Sequence, residues 1–203
     1  MKALVVTVYR FPHHPVVVFA GMFFKESAQE VAVQTAAALA DPEAKEVTIV
    51  MASTGGRVND TIVSAGFIRQ QARHKKVMCV GMNVVASSAF YFFQAACDDR
   101  ALLPQTRMIT HRLVTPLAAG VYSAEQLLAF ASIQIESQNF FDEKIAERMG
   151  MDLLEYKSHI AGGDWVMDPA TAIKNHAADR VLNGPEDVVW VPEGLLTPVD
   201  GGA

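Results

Sequence analysis

Val47-Thr48-Ile49-Val50-Met51-Ala52-Ser53-Thr54-Gly55-Gly56 is the stretch that decides the fold. Six residues that are apolar but for one threonine read as a buried strand, and they run straight into a small, Gly-Gly turn. A helical pattern follows over about Asp60 to Arg73. A buried strand passing through a tight turn into a helix is half of a parallel crossover, because parallel neighbours need a long connection and helices cover the sheet faces.

The same grammar extends in both directions. Upstream, Val16 to Phe19 predicts a strand, and Ser27-Ala28-Gln29-Glu30 has the spacing of a capping box opening an Ala-rich helix that Asp41-Pro42 closes. Downstream, Val77 to Met82 predicts a third strand, followed by the apolar helix Ser88 to Cys97 and a short strand, Arg107 to His111. Ser123-Ala124-Glu125-Gln126 is a second capping box, opening a long helix that Gly150 ends. This helix carries more apolar surface than one stripe needs, from Leu127 and Leu128 to Ile135 and Phe141, so a partner is expected against it. Asp168-Pro169 gives a cap and first-turn proline for a short helix, Val188 to Val191 predicts a last strand, and 192–203 a loose tail. With no internal repeat or linker, the 203 residues are expected to form one α/β domain, 1–203.

Composition excludes several classes. A formal charge of −5 offers no basic field for a phosphate backbone, so no nucleic-acid partner is expected. The apolar run Val16 to Phe24 is about half of the roughly 20 residues a membrane helix needs, and Arg10, Pro12, His13 and His14 interrupt the N-terminus before a secretion signal could form. Cys79 and Cys97 match no metal-ligand spacing and sit in apolar segments; they are expected as buried free thiols, which places the chain in the cytoplasm. His13 and His14 fall in a terminal turn, His74 in a basic run, and His159 and His176 on helices, all expected in solvent with no metal to hold.

Hydrolysis by a serine needs a base to take its proton, a group to orient the base, and donors for the oxyanion. Ser87 and Ser88 open an apolar helix whose free amides favour negative charge, His111 ends a strand, and Asp164 follows Gly162-Gly163. Each feature also has an ordinary reading, as an N-cap, a hydrogen-bonded histidine or a turn residue. Order and setting have to make the case.

From Val16 to about Val181 the chain resembles the Clp protease proteolytic subunits, within the crotonase-like superfamily. Asp41 to Val47 followed by Ala52 to Gly56 is similar to that family's helix end, strand and "NSPGG" turn, with Thr54 in place of proline. Leu103-Pro104-Gln105-Thr106-Arg107-Met108-Ile109-Thr110-His111 resembles its "LPNSRVMIH" strand, and Asp164 to Ala172 its "DRFLSAPEA" segment. The resemblance implies an α/β spiral of repeated β-β-α units with a protruding handle helix, about 123–149, through which rings pack. It implies a serine peptidase acting on peptides or unfolded proteins, with His111 and Asp164 completing the triad, no metal or organic cofactor, and subunits closing into homo-oligomeric rings.

For the nucleophile, Ala96-Cys97-Asp98 resembles the "AGD" that ends this helix in shorter relatives, which selects Ser88 and gives Gly56 and Ala89 as oxyanion donors. Ser87 is the alternative nucleophile. Counting from His111 with the longest Clp spacing lands on Ala86, a site with no nucleophile. Only about fifteen residues precede Val16, so the family's axial loop and first helix are expected to be reduced or absent, which leaves docking of a Clp-type ATPase in doubt. Leu113 to Val121 replaces the family's Gly-rich peptide-binding strand, so cleavage preference does not transfer. Two rival readings stay open: a crotonase-like acyl-CoA hydratase or hydrolase, and a non-catalytic ring subunit.

Overall fold

Strands buried on both faces must be apolar at every position, and that requirement produces the runs read above. Val17 and Phe19 enter the main core beneath the helices, while Val16 and Val18 join Val50, Met78, Val80, Ala101 and Leu182 on the opposite face. The structure, a computed structural model, describes residues 5–11, 14–114 and 117–183. The strand expected at Val188 to Val191 and the tail over 192–203 lie outside the described residues.

In chain order the elements are β1 (Val5–Phe11), β2 (His14–Ala20), α1 (Lys25–Ala40), β3 (Glu46–Ser53), α2 (Val58–Ala72), β4 (Lys76–Ala86) and α3 (Ser88–Ala96). There follow β5 (Asp99–Leu102), β6 (Arg107–Thr110), α4 (Ala124–Met149), α5 (Leu153–Ile160), β7 (Trp165–Met167), α6 (Pro169–Lys174) and β8 (Arg180–Val181). The sheet runs β1-β2-β3-β4-β5-β8, parallel from β2 onward, with β1 antiparallel on β2. A mixed α/β architecture with a parallel sheet and six helices among the described residues agrees with the expected fold class.

The strand that matters for the site is β4, which forks. Met78 to Gly81 pair with β5, whereas Val84 to Ala86 pair with β6, and Asn83, at φ 61°, turns the chain between them. The register against β3 shifts at the same level, between Met51 and Ser53. A Cβ at Gly81 would come within 2.8 Å of Leu102 Cδ2, so a larger residue there needs Leu102 to shift. β7 then pairs antiparallel with β6.

Local departures from expectation have physical causes. The strand β1 was not anticipated; it folds back on β2 with Phe11 opposite His14, so His14 begins a strand, half-buried, rather than lying in a terminal turn. Helix α1 begins at Lys25, and Ser27 is its third residue: the hydroxyl accepts from Phe24 N–H at 2.9 Å and donates to Met22 O at 2.7 Å, capping backwards. α4 has the expected cap, with Ser123 and Gln126 bonded reciprocally and Gly150 left-handed at φ 62°. His176 lies just beyond α6, at φ 54°, not on a helix.

The cysteine reading needs correction. Cys79 and Cys97 form a disulfide, with Cα atoms 5.7 Å apart. Helix α3 is buried on all sides and packs back along β4, returning its C-terminal end over the middle of that strand. Local composition cannot register that return. The argument for a reducing compartment, which rested on free thiols, therefore falls. Among the described residues no helix is long and apolar enough to cross a membrane.

Candidate functional site

The fork in β4 and the pairing of β6 bring the candidate residues together through backbone register. Ser87 follows the last residue of β4, and its N–H donates to Ile109 O of β6 at 2.8 Å. On the other edge of β6, Thr110 pairs with Trp165 of β7 as the last pair of that ladder, and His111 and Asp164 are the residues just beyond it. Ser87, Ser88 and His111 thus line one small cavity, and Asp164 lies just before the start of β7.

The two serines occupy different environments. Ser87 is half-buried and adopts φ 56°, ψ −127°, a strained conformation for a non-glycine residue on a sharp strand-to-helix turn. Ser88 is 2% exposed, and its Oγ is sealed with no hydrogen-bond partner. Gly55 accommodates this turn: a Cβ there would lie 2.6 Å from Ser87 Cβ and 3.0 Å from Ser88 N. Only a glycine lets the two turns approach so closely.

Backbone donors converge on the same place. Gly55 O accepts from Phe23 N–H at 2.8 Å and Arg57 N–H donates to Phe23 O at 2.6 Å, a parallel bridge centred on Gly56. That bridge uses the groups flanking Gly56, so its own N–H points to the opposite edge, away from Phe23. Ser88 and Ala89 are the first residues of α3, whose initial amides have no intrahelical acceptor.

No hydrogen bond joins the histidine to the aspartate among the described residues. His111 Nδ1 lies 2.6 Å from Arg112 O; as the N–H donor it leaves Nε2 with the free lone pair a base needs. Asp164 is exposed. Among the described residues no hydrogen bond joins Ser87, Ser88, His111 and Asp164. The segment after His111 is held by α4, since Leu113 N–H donates to Gln138 Oε1 at 2.6 Å and Gln138 Nε2 donates to Asp142 Oδ1 at 2.6 Å.

Asp142, Gln138 and Tyr156 border the site without having been singled out from sequence. Positions 138, 141, 142 and 145 share one face of α4, a spacing that could have flagged them. Asp142 is 2% exposed; burial pushes its carboxyl up, partly offset by the Gln138 hydrogen bond and by Lys157 and Arg112. Burial likewise pushes up the Tyr156 hydroxyl, which shares a 2.7 Å hydrogen bond with Thr110 Oγ1. Helix α5, which brings Tyr156 here, starts at Asp152, whose carboxylate caps Leu154 and Glu155 N–H. Among the described residues no group of three His, Cys, Asp or Glu could hold a metal ion.

A family model, Clp protease, matches residues 5–184, and the chain belongs to the Clp protease family. Members of that family generally form oligomeric rings and act on peptide substrates, and membership supports a peptidase-type, hydrolytic function. No curated protein matches the chain.

Proposed function

We propose that the protein is a serine peptidase in which Ser87 attacks a peptide carbonyl, His111 takes and returns the proton, and Asp164 orients His111. The observation that carries this reading is the turn at Ser87: a half-buried serine at φ 56° between β4 and α3, bonded through its N–H to β6, the strand that His111 directly follows. Ser88, the first choice from sequence, has its hydroxyl sealed from any incoming carbonyl, so the geometry favours its neighbour. The oxyanion donor on the helix side moves accordingly from Ala89 to the Ser88 N–H, with the Gly56 N–H opposite.

In the free protein the Arg112 carbonyl holds the place at His111 Nδ1 that Asp164 takes in the working triad. Catalytic hydrogen bonds are often completed only when substrate arrives. Assembly into rings, as in the family, would enclose the sites and restrict access to short peptides or unfolded chains. The exposed apolar residues of α4, Leu127, Leu128, Ile133 and Ile135, suit contact with further copies of the chain.

The test is labelling by a fluorophosphonate with location of the modified residue by mass spectrometry. Modification of Ser87, lost in Ser87→Ala and His111→Ala and retained in Ser88→Ala, is the expected result. Modification that follows Ser88 instead moves the nucleophile one residue along. Absence of labelling together with absence of casein hydrolysis sinks the serine peptidase and leaves a non-catalytic ring subunit.

A further inference from the structure

Helix α5 touches both members of one rung of the sheet. Thr110 and Trp165 form the last pair of the β6–β7 ladder, and each meets an α5 side chain. Tyr156, 1% exposed, shares its 2.7 Å hydrogen bond with Thr110 Oγ1. Three residues further along the same face, the His159 imidazole lies flat on the Trp165 indole, with ring centroids 3.9 Å apart and 9° between the planes. The Tyr156 ring stands 6.2 Å from that indole. The helix itself is fixed: Asp152 caps its first turn, Ile160 is buried at its end, and Lys157 Nζ donates to Asn139 Oδ1 of α4 at 3.0 Å.

The rung lies at the vulnerable end of its ladder. β7 has three residues and pairs only with β6 among the described strands, and the ends of so short a ladder fray readily. The chain reaches Asp164 through Gly162-Gly163, with Gly163 at φ 138°, and a Cβ at either glycine would meet nothing within 4 Å, so this approach supplies freedom rather than a fit. His111 directly follows Thr110, and Asp164 directly precedes Trp165. We infer that Tyr156 and His159 are positioning residues for the proposed triad: by holding Thr110 and Trp165 from one helix, they limit the excursions of His111 and Asp164 and raise the share of molecules in which Asp164 can orient the imidazole.

This inference rests on Asp164 orienting His111, and the test separates the two. kcat and KM are measured with N-acetylalanine p-nitrophenyl ester, an activated substrate whose residual hydrolysis stays measurable in an Asp164→Ala background. In the otherwise wild-type chain His159→Ala, a change at an exposed position, is expected to lower kcat about tenfold with KM within about twofold, and Tyr156→Phe, which keeps the buried ring, to do the same. His159→Phe keeps a flat ring against the indole and should recover most of the loss. In the Asp164→Ala background neither His159→Ala nor Tyr156→Phe should lower kcat by more than about twofold, because a residue that acts through Asp164 has nothing left to position. Should Tyr156→Phe unfold in the assay, His159→Ala decides alone. Losses of similar size in both backgrounds mark a structural role and overturn the inference, as does an unchanged kcat, while a slow Asp164→Ala keeps the triad. An Asp164→Ala protein as fast as the wild type, or a wild type that does not hydrolyse the ester, overturns the triad and the inference with it.

Discussion

Arg100 and Ser88 are buried to the same degree, 2% exposed each, and their surroundings are opposite. The Arg100 guanidinium meets Asp179 through Nε at 3.1 Å and through its terminal nitrogen at 2.6 Å, and it also donates to Gln94 Oε1. Its backbone N–H reaches the same carboxylate at 2.8 Å, and Gln94 Nε2 closes the cluster on Ala177 O at 2.8 Å. Every strong donor has an acceptor, and the cluster ties β5 to the chain entering β8. Around Ser88 the hydroxyl is unpaired, and Asp142 is hydrogen-bonded by the Gln138 amide with the charges of Lys157 and Arg112 acting on it. A buried polar cluster with nothing left to bond holds architecture together; one with a free valence beside a strained turn is stable only at some cost.

The contrast can be broken at its closed end first. Asp179→Ala strands a buried guanidinium and should lose about 3–5 kcal/mol of unfolding free energy in a urea titration; a loss below about 1 kcal/mol would mean the pair is not structural. Burial pushes the Asp179 carboxyl up, but the hydrogen bonds and charge of Arg100 pull it below its ordinary value. A depressed carboxylate stabilises the fold above the unfolded pKa, here 3.8, and that contribution disappears as pH falls through the folded value. The deficit of Asp179→Ala should therefore narrow in acid below 3.8.

Next in size is the cross-link. Replacing both Cys79 and Cys97 by alanine releases a loop of this length at a loss of about 3 kcal/mol, read by the same titration, and unchanged stability would show that the bond constrains nothing. The open cluster should respond with the opposite sign. Ser88→Ala removes an unpaired hydroxyl and should leave stability unchanged or raise it by up to about 1 kcal/mol; a loss beyond 1 kcal/mol would show that the hydroxyl has a partner after all.

The smallest effect belongs to Asp142→Asn. A carboxyl whose folded pKa is raised binds its proton more tightly in the native state, so the wild type loses stability as pH rises from 3.8 through the raised value. Asparagine escapes that loss. The variant should melt about 1–2 °C higher at neutral pH and no higher in acid, and a gain that persists below 3.8 would refute burial as the cause.

The sheet was readable in sequence because strands buried on both sides admit almost nothing but apolar residues, as Val47 to Ala52 show. Segment matches also pointed to His111 and Asp164, which lie just past the end of β6 and just before the start of β7. Other features depend on information a linear pattern does not carry. Ser87 and Ser88 are the same residue type in adjacent positions, and only the sign of one φ separates an elbow from a helix position. Residues 5–11 had no local cue for pairing, since the Pro12 to Pro15 punctuation lacks the Asn-Gly or Gly-rich signature of a short hairpin. Gln138 and Asp142 matter because β6 ends where α4 passes, a tertiary fact.

The Cys79–Cys97 bond also changes what a single cut can do to the molecule. Positions 79 to 97 form a covalent ring, and the turn with Ser87 and Ser88 lies on its circumference. A peptide bond hydrolysed anywhere on that circumference opens the ring without dividing the chain. The nicked protein keeps its full mass on a non-reducing gel and separates into two fragments only after a thiol is added.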